Sequence, residues 1–229
     1  MKILVIVPAY NEEKSLAGVV RDLREHVPHA DILVVNDGSR DRTELVARGL
    51  GVIVLGLPFN LGIGGAMQTG YRYARNNSYD ITIQFDGDGQ HVASEITTLL
   101  TGLQQGTTDI IVGSRFLELG DYRPTFFRRL GIWIFSTVLS TILRMRVTDT
   151  TSGFRAANHR VIEFFARNYP EDYPEVESLV LLHRAGMTIG EVPVVMRERT
   201  GGRSSITPIR SAYYMVKVLL AVFIDLLKK

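Results

Sequence analysis

Ile81-Thr82-Ile83-Gln84-Phe85-Asp86-Gly87-Asp88-Gly89-Gln90-His91 carries an apolar run directly into two carboxylates separated by one glycine. Residues 81–85 read as a buried strand, and the acids fall where that strand ends. Working outward, the arrangement recurs. Residues 3–7 form a continuous apolar run that leaves through Pro8-Ala9-Tyr10-Asn11-Glu12. Residues 32–35 lead into Asn36-Asp37-Gly38-Ser39, residues 52–55 form a third apolar run, and residues 110–112 lead into Gly113-Ser114-Arg115. Helical spacing fills the intervals. Leu16, Val19, Val20 and Leu23 mark a helix from about Glu13 to His26, and further helices are predicted over 43–49, 62–75 and 94–104. This strand–helix alternation predicts an α/β fold with a Rossmann-like, mostly parallel sheet flanked by helices. Ligands of such sheets bind beyond the carboxyl ends of the strands, so one crevice can receive three of these polar clusters.

The chain has 229 residues, enough for one well-buried domain with an appendage. It contains no cysteine, which excludes disulfides and thiolate metal sites. A net charge of +2 gives no reason to expect nucleic acid as a partner. The charge is unevenly placed. From Arg115 to Arg160 there are eight arginines against three acids, a local +5 that leaves −3 for the rest. Such a basic segment suits phosphate groups, on a ligand or on a membrane surface. The N-terminal apolar run is too short for a signal peptide, and no stretch reaches about 18 uninterrupted apolar residues.

Asp86 and Asp88 are hard oxygen ligands suited to Mg²⁺ or Mn²⁺, which would also hold a diphosphate. The competing reading is a solvated Asp-Gly turn that caps the next helix. His91 reads equally as a ligand or as a core-edge histidine. Tyr10 and Glu12 offer an aromatic face and acceptors for a nucleoside, while Asn11 also reads as the N-cap of the first helix. Asp37 reads as an acceptor for base or ribose, or as a turn and cap residue. The glycine cluster Gly62-Ile63-Gly64-Gly65 matches no phosphate-loop spacing and reads as a helix opening that permits close packing or ligand approach. Arg115 follows a strand end, where its fork can reach a phosphate in the crevice. Asp149-Thr150-Thr151-Ser152-Gly153-Phe154-Arg155 reads as a loop, and Arg197 to Ser205 as a cationic, glycine-containing loop able to close over a diphosphate.

Taken in order and spacing, these clusters resemble a family-2 glycosyltransferase of GT-A fold, in the branch similar to dolichyl-phosphate mannose synthase and other polyprenyl-phosphate glycosyltransferases. The carriers are residues 8–12, 36–39, 86–91, 113–115, 149–155 and Arg203, and the resemblance spans nearly the whole chain. It implies that Pro8, Ala9, Tyr10, Glu12, Asp37, Gly62, Asp86, Gly87 and Arg203 bind the nucleotide-sugar. It further implies that Asp86, Asp88 and Gln90 organise the metal, and that Arg115, Arg128 and Arg129 hold the acceptor phosphate, with Asp86, Asp88 and Arg115 catalytic. The implied reaction is an inverting displacement at the anomeric carbon by an oxygen of a polyprenyl phosphate, undecaprenyl or dolichyl, feeding cell-envelope or glycan assembly. Two features depart from the family pattern. Asn36-Asp37 stands where two aspartates are usual, and the serine expected soon after the acceptor arginine is not evident near Ile132-Trp133.

An ionised phosphate acceptor needs no dedicated general base, whereas a hydroxyl acceptor does. The Gln-x-x-Arg-Trp signature of processive synthases is absent, since Trp133 is the only tryptophan and lacks that setting. Residues 130–143 are apolar and flanked by Arg128, Arg129, Arg144 and Arg146, the composition of a helix lying in a membrane interface, with a core or oligomer-contact helix as the competing reading. The expected organisation is therefore a catalytic domain over 1–205, with an interfacial helix at 128–145, and a C-terminal amphipathic helix over 206–229. That helix would contact the membrane, a membrane partner subunit or a second copy of the chain, with the enzyme peripheral on the cytoplasmic side. The rivals are a glycosyltransferase acting on a hydroxyl of a glycan or protein, a nucleotidyltransferase, and a non-catalytic nucleotide-sugar-binding module.

Overall fold

The computed structural model describes residues 1–117, 136–141, 146–171 and 174–197. A seven-stranded sheet forms its centre, in the order β3-β2-β1-β4-β6-β5-β7. Five strands arise where apolar runs were read: β1 (Ile3–Ala9), β2 (Asp31–Asn36), β3 (Ile53–Gly56), β4 (Ile81–Gln84) and β5 (Ile110–Ser114). Strands β1 to β4 pair in parallel. The chain builds outward from β1 through β2 to β3, then returns to place β4 on the other side of β1. That reversal between β1 and β4 is the switch point at which crevices of such sheets open.

Two strands escape the sequence reading. β6 (Arg155–Asn158) runs antiparallel between β4 and β5, and β7 (Ile189–Pro193) is parallel to β5 at the edge. Residues 149–155 are therefore not only a loop, because Arg155 already pairs with Gln84 on one side and Val112 on the other. The helices are α1 (Leu16–His26), α2 (Thr43–Gly49), α3 (Gly62–Asn76), α4 (Ile96–Gln104), the helical residues 136–141 (α5), α6 (His159–Phe165) and α7 (Pro174–Arg184).

Two apolar layers cover the sheet. Leu4, Ile6, Leu33 and Val35 face Met67, Tyr71, Phe165 and Leu179, while Val5, Val7, Val34 and Ile83 face Leu16, Val20, Leu23, Ile96 and Leu99. Alternate residues of one strand thus feed opposite layers, as the pleat requires. Leu139 of α5 is buried in the first layer, so the described part of the expected interfacial helix packs on the domain. Among the described residues no helix is long and apolar enough to cross a membrane. The C-terminal segment 206–229 and the rest of 128–145 lie outside the described residues.

The glycine-rich opening of α3 serves close packing. A Cβ on Gly64 would lie 2.5 Å from the Pro170 carbonyl oxygen and 2.6 Å from that of Glu171. Backbone atoms cannot swing aside as a side-chain tip can. Gly64→Ala is therefore expected to cost about 1–3 kcal/mol, read as a lowered urea midpoint with an unchanged slope.

Candidate active site

The switch point gathers the predicted clusters. β1 ends in Pro8-Ala9, β2 in Asn36, and β4 runs into Phe85-Asp86-Gly87-Asp88, with Ala9 paired to Asn36. A Cβ on Gly87 would come within 3.0 Å of the Pro8 carbonyl oxygen, so the acidic turn lies against the end of β1.

Tyr10 is exposed, while Ala9 is buried beneath it. The Asn11 reading changes. Asn11 is no N-cap: it holds a left-handed φ of 57°, its N–H donates to Ser39 Oγ, and its Oδ1 accepts from the Arg40 N–H at 2.9 Å. The Glu12 N–H donates to Thr43 Oγ1 at 2.8 Å, and the Glu12 carboxylate accepts from Ser15 Oγ. This weave delays α1, which starts at Leu16 rather than near Glu13. It also ties the ends of β1 and β2 into one wall.

Asp37 is buried, and both of its oxygens accept backbone hydrogen bonds, from the Leu61 N–H at 2.7 Å and the Gly62 N–H at 2.9 Å. A carboxylate at the start of α3 is well placed against the helix dipole. The cap reading of Asp37 thus holds, but for a helix 25 residues later rather than for α2. Gly62 has a φ of 81° and supplies one of those amides, so its role in the described structure is to meet Asp37. Gly38 makes the approach of the two loops possible, with a φ of 64° and with backbone of Phe59 and Asn60 inside 3 Å of any Cβ there.

Asp86 and Asp88 flank the crevice. Burial first, and the Asp88 charge second, push the Asp86 carboxyl up to about 7, against opposing pulls from Arg115, Gln84 and Arg155. Two carboxylates crowded in this way are stabilised by a shared divalent cation, so the residues fit one. Among the described residues no three His, Asp or Glu side chains converge as a ligand cage. Two carboxylates with room for phosphate oxygens and water is the pattern suited to Mg²⁺. Asp88 Oδ1 also accepts from the Gln90 N–H at 3.0 Å, which shapes the turn.

His91 is not placed as a free base. It is buried between Phe85, edge-on at 5.2 Å, and Phe154, stacked at 4.7 Å. The Asp86 N–H donates to Nδ1 at 3.0 Å, which leaves the proton on Nε2, 3.5 Å from Asp86 Oδ2. Burial holds its pKa down to about 4. Nitrogen-15 NMR is expected to show a neutral Nε2–H ring throughout pH 5 to 8. Because the folded pKa is depressed, the stabilising contribution is present above the unfolded value near 6.5 and is lost as pH falls toward 4.

Arg115 follows β5 as expected, and the structure adds its partner. Nε donates to Asp149 Oδ2 at 2.7 Å and Nη2 to Asp149 Oδ1 at 2.8 Å, with Nη2 also reaching Thr151 Oγ1. Asp149 is fully buried. A Cβ on Gly153 would lie 3.2 Å from Asp86 Oδ1, so the 149–155 loop that holds Arg115 also borders the acidic turn. Arg155 is the residue that sequence reasoning undervalued. It is buried under the site, donating to the Ser152 carbonyl, Ser178 Oγ and the Glu175 carbonyl. Glu175 sits close enough for burial, Arg155 and Asp86 all to act on its carboxyl, with a net upward shift. Arg128, Arg129 and Arg203 lie outside the described residues.

A mostly parallel sheet with paired carboxylates beyond β4 and an arginine beyond β5 is the arrangement of a glycosyltransferase of GT-A fold. Residues 4–167 match the model of glycosyl transferase family 2, and the chain belongs to that family. It is 33% identical to an undecaprenyl-phosphate mannosyltransferase of Micrococcus luteus, over 90% of this chain and 88% of that protein. It is 31% identical to a polyprenol monophosphomannose synthase of Mycolicibacterium smegmatis, over 93% of this chain and 84% of that protein. Among solved structures, glucosyl-3-phosphoglycerate synthase of Mycobacterium tuberculosis, in complex with Mn²⁺, UDP-glucose and phosphoglyceric acid, shares the fold. The TM-score is 0.73 at 23% identity, over 96% of this chain and 79% of that one.

Proposed function

We propose that this enzyme transfers a hexose or N-acetylhexosamine, with inversion, from a nucleotide-sugar to a polyprenyl phosphate while bound peripherally at the cytoplasmic face of a membrane. The observation that carries the reading is that one loop borders both charged groups: Asp149 and Thr151 hold the Arg115 fork, and a Cβ on Gly153 would lie 3.2 Å from Asp86 Oδ1. One side suits a cation-bound diphosphate and the other an anionic acceptor. The names of the relatives, mannosyltransferases and synthases acting on undecaprenyl and polyprenol phosphates, support the acceptor class. A Methanococcus voltae relative, 29% identical, is named for transfer of N-acetylglucosamine to dolichyl phosphate, so the sugar varies among relatives.

Pro8, Ala9, Tyr10, Glu12, Asp37 and Gly62 line the nucleoside side, Gly87 lets the acidic turn approach it, and Arg203 serves the diphosphate. Asp86, Asp88 and Gln90 would hold Mg²⁺ or Mn²⁺, which when bound supplies positive charge to the departing diphosphate. Arg115, with Arg128 and Arg129, orients the acceptor phosphate for in-line attack on the anomeric carbon. The phosphate oxygen is already ionised near neutral pH and needs no base. His91 offers none, because Nδ1 is occupied and Nε2 carries the proton.

The second reading, a hydroxyl acceptor, draws on Glu175, whose raised carboxyl beside Asp86 would suit a base. Parallel assays with polyprenyl phosphate and with soluble glycan and protein acceptors separate the two. Transfer to the lipid phosphate alone is expected. Transfer to a soluble hydroxyl acceptor without lipid phosphate contradicts the reading.

A further inference from the structure

Glu191 lies on β7 opposite Val112 of β5, away from the nucleotide side of the crevice. Its carboxylate gathers the loop that leads to Asp149. The Thr148 N–H donates to both oxygens, at 3.0 and 2.8 Å, and the Asp149 N–H donates to Oε1 at 3.0 Å. Thr148 Oγ1 adds a contact to Oε2 at 2.9 Å. An ionised carboxylate can only accept, so the single Thr148 hydroxyl proton points to Glu191. That fixes the direction of the next link: Ser114 Oγ, 2.6 Å away, must donate to Thr148 Oγ1. Ser114 Oγ then accepts from the Phe116 N–H at 3.2 Å. The residue between these two anchors is Arg115. Its own N–H donates to Asp149 Oδ2 at 3.2 Å, while its guanidinium takes the same carboxylate side-on.

Arg115 is thus held from both directions. Glu191 fixes the backbone that presents the Asp149 carboxylate, and through Thr148 and Ser114 it fixes the backbone that presents Arg115. We propose that Glu191 is a positioning residue for the acceptor half of the site, setting the Arg115 fork through Thr148 and Asp149. This rests on the reading that Arg115 holds the acceptor phosphate. A glutamine at 191 keeps the shape but puts an NH₂ where Oε2 stands, 2.8 Å from the Thr148 nitrogen, so that N–H loses one of its two acceptors and the Thr148 hydroxyl must accept where it had donated.

The test has two readouts. Steady-state kinetics compare wild type, Glu191→Gln, Arg115→Lys and the double variant, with donor and polyprenyl phosphate varied separately. Glu191→Gln is expected to raise the acceptor KM about tenfold while the donor KM stays within twofold, and to add little when Arg115 is already lysine. Independently of any acceptor, the Arg115 Nε–H resonance is identified by its loss in Arg115→Lys. It is expected to exchange slowly with solvent in wild type and at least tenfold faster in Glu191→Gln. Thr148→Val, which breaks only the hydroxyl link, shifts both readouts in the same direction by less, and stands in if Glu191→Gln does not fold. Equal rises in both KM values, additive effects in the double variant, or unchanged Arg115 exchange would overturn the proposal. Failure of wild type to use polyprenyl phosphate, with the exchange result intact, would instead count against the acceptor assignment.

Discussion

Asp88→Asn is expected to lower the transfer rate by about 10²–10³-fold or more while leaving the protein as stable as before, or slightly more so. The asparagine retains an oxygen for the Gln90 N–H, so the turn keeps its hydrogen bond. What disappears is one of two negative charges. That charge is the second-largest reason the Asp86 carboxyl stands near 7, after burial, so removing it relieves repulsion in the folded protein. The same charge is half of the cation site, and losing one preorganised group aimed at a departing oxyanion costs catalysis on this scale. Activity and stability are therefore expected to move independently, as they do where a site stores unfavourable electrostatics for its reaction. Rate measurements at saturating donor, paired with thermal unfolding of the same preparations, check this. A parallel fall in melting temperature would assign Asp88 a structural role.

Arg155→Met is expected to have the opposite signature, a loss of about 3–5 kcal/mol of stability. The guanidinium is buried and bonds three oxygens on two elements: the Ser152 carbonyl before β6, and Ser178 Oγ and the Glu175 carbonyl on α7. Methionine fills much of the volume but removes the guanidinium donor from the Ser152 carbonyl and Ser178 Oγ in a buried setting, and leaves the Glu175 carbonyl with the 3.3 Å bond from the Ser178 hydroxyl. The Asp86 and Glu175 carboxyls, which both feel the Arg155 charge, lose a favourable neighbour at the same time. Arg155→Lys keeps the charge but cannot reach three divergent acceptors from one nitrogen, and about 1–3 kcal/mol is expected. Urea titrations of the three proteins give both numbers.

The carboxyl-end crevice was legible because β1, β2 and β4 are apolar runs that stop at polar clusters. Periodicity and strand ends are local features, and they placed Asp86, Asp88 and Arg115 on one edge of the sheet. β6 was not legible. Arg-Ala-Ala-Asn has no β-branched or aromatic residue, yet it is an interior strand between β4 and β5, where small side chains fit beneath two crowded layers. β7 was hidden by Gly190, Glu191 and Pro193, which suit an edge strand but give no apolar run. The same limit applies to partners. Asp37 reads locally as a turn residue, and nothing in its neighbourhood announces amides 24 and 25 positions on. Arg115 reads as a free phosphate fork, and its partner Asp149 lies 34 residues away, in the segment that leads into the unrecognised strand β6. Such pairings are set by topology, so they became visible only once the sheet order was known.

The most direct test of the account is transfer of radiolabelled sugar from a panel of nucleotide-sugars into polyprenyl phosphate, with Mg²⁺ or Mn²⁺, with chelator, and with Asp88→Ala. The account predicts label in the organic phase from one donor, lost on chelation and lost in the variant. Donor turnover with every label remaining in water-soluble products would contradict it.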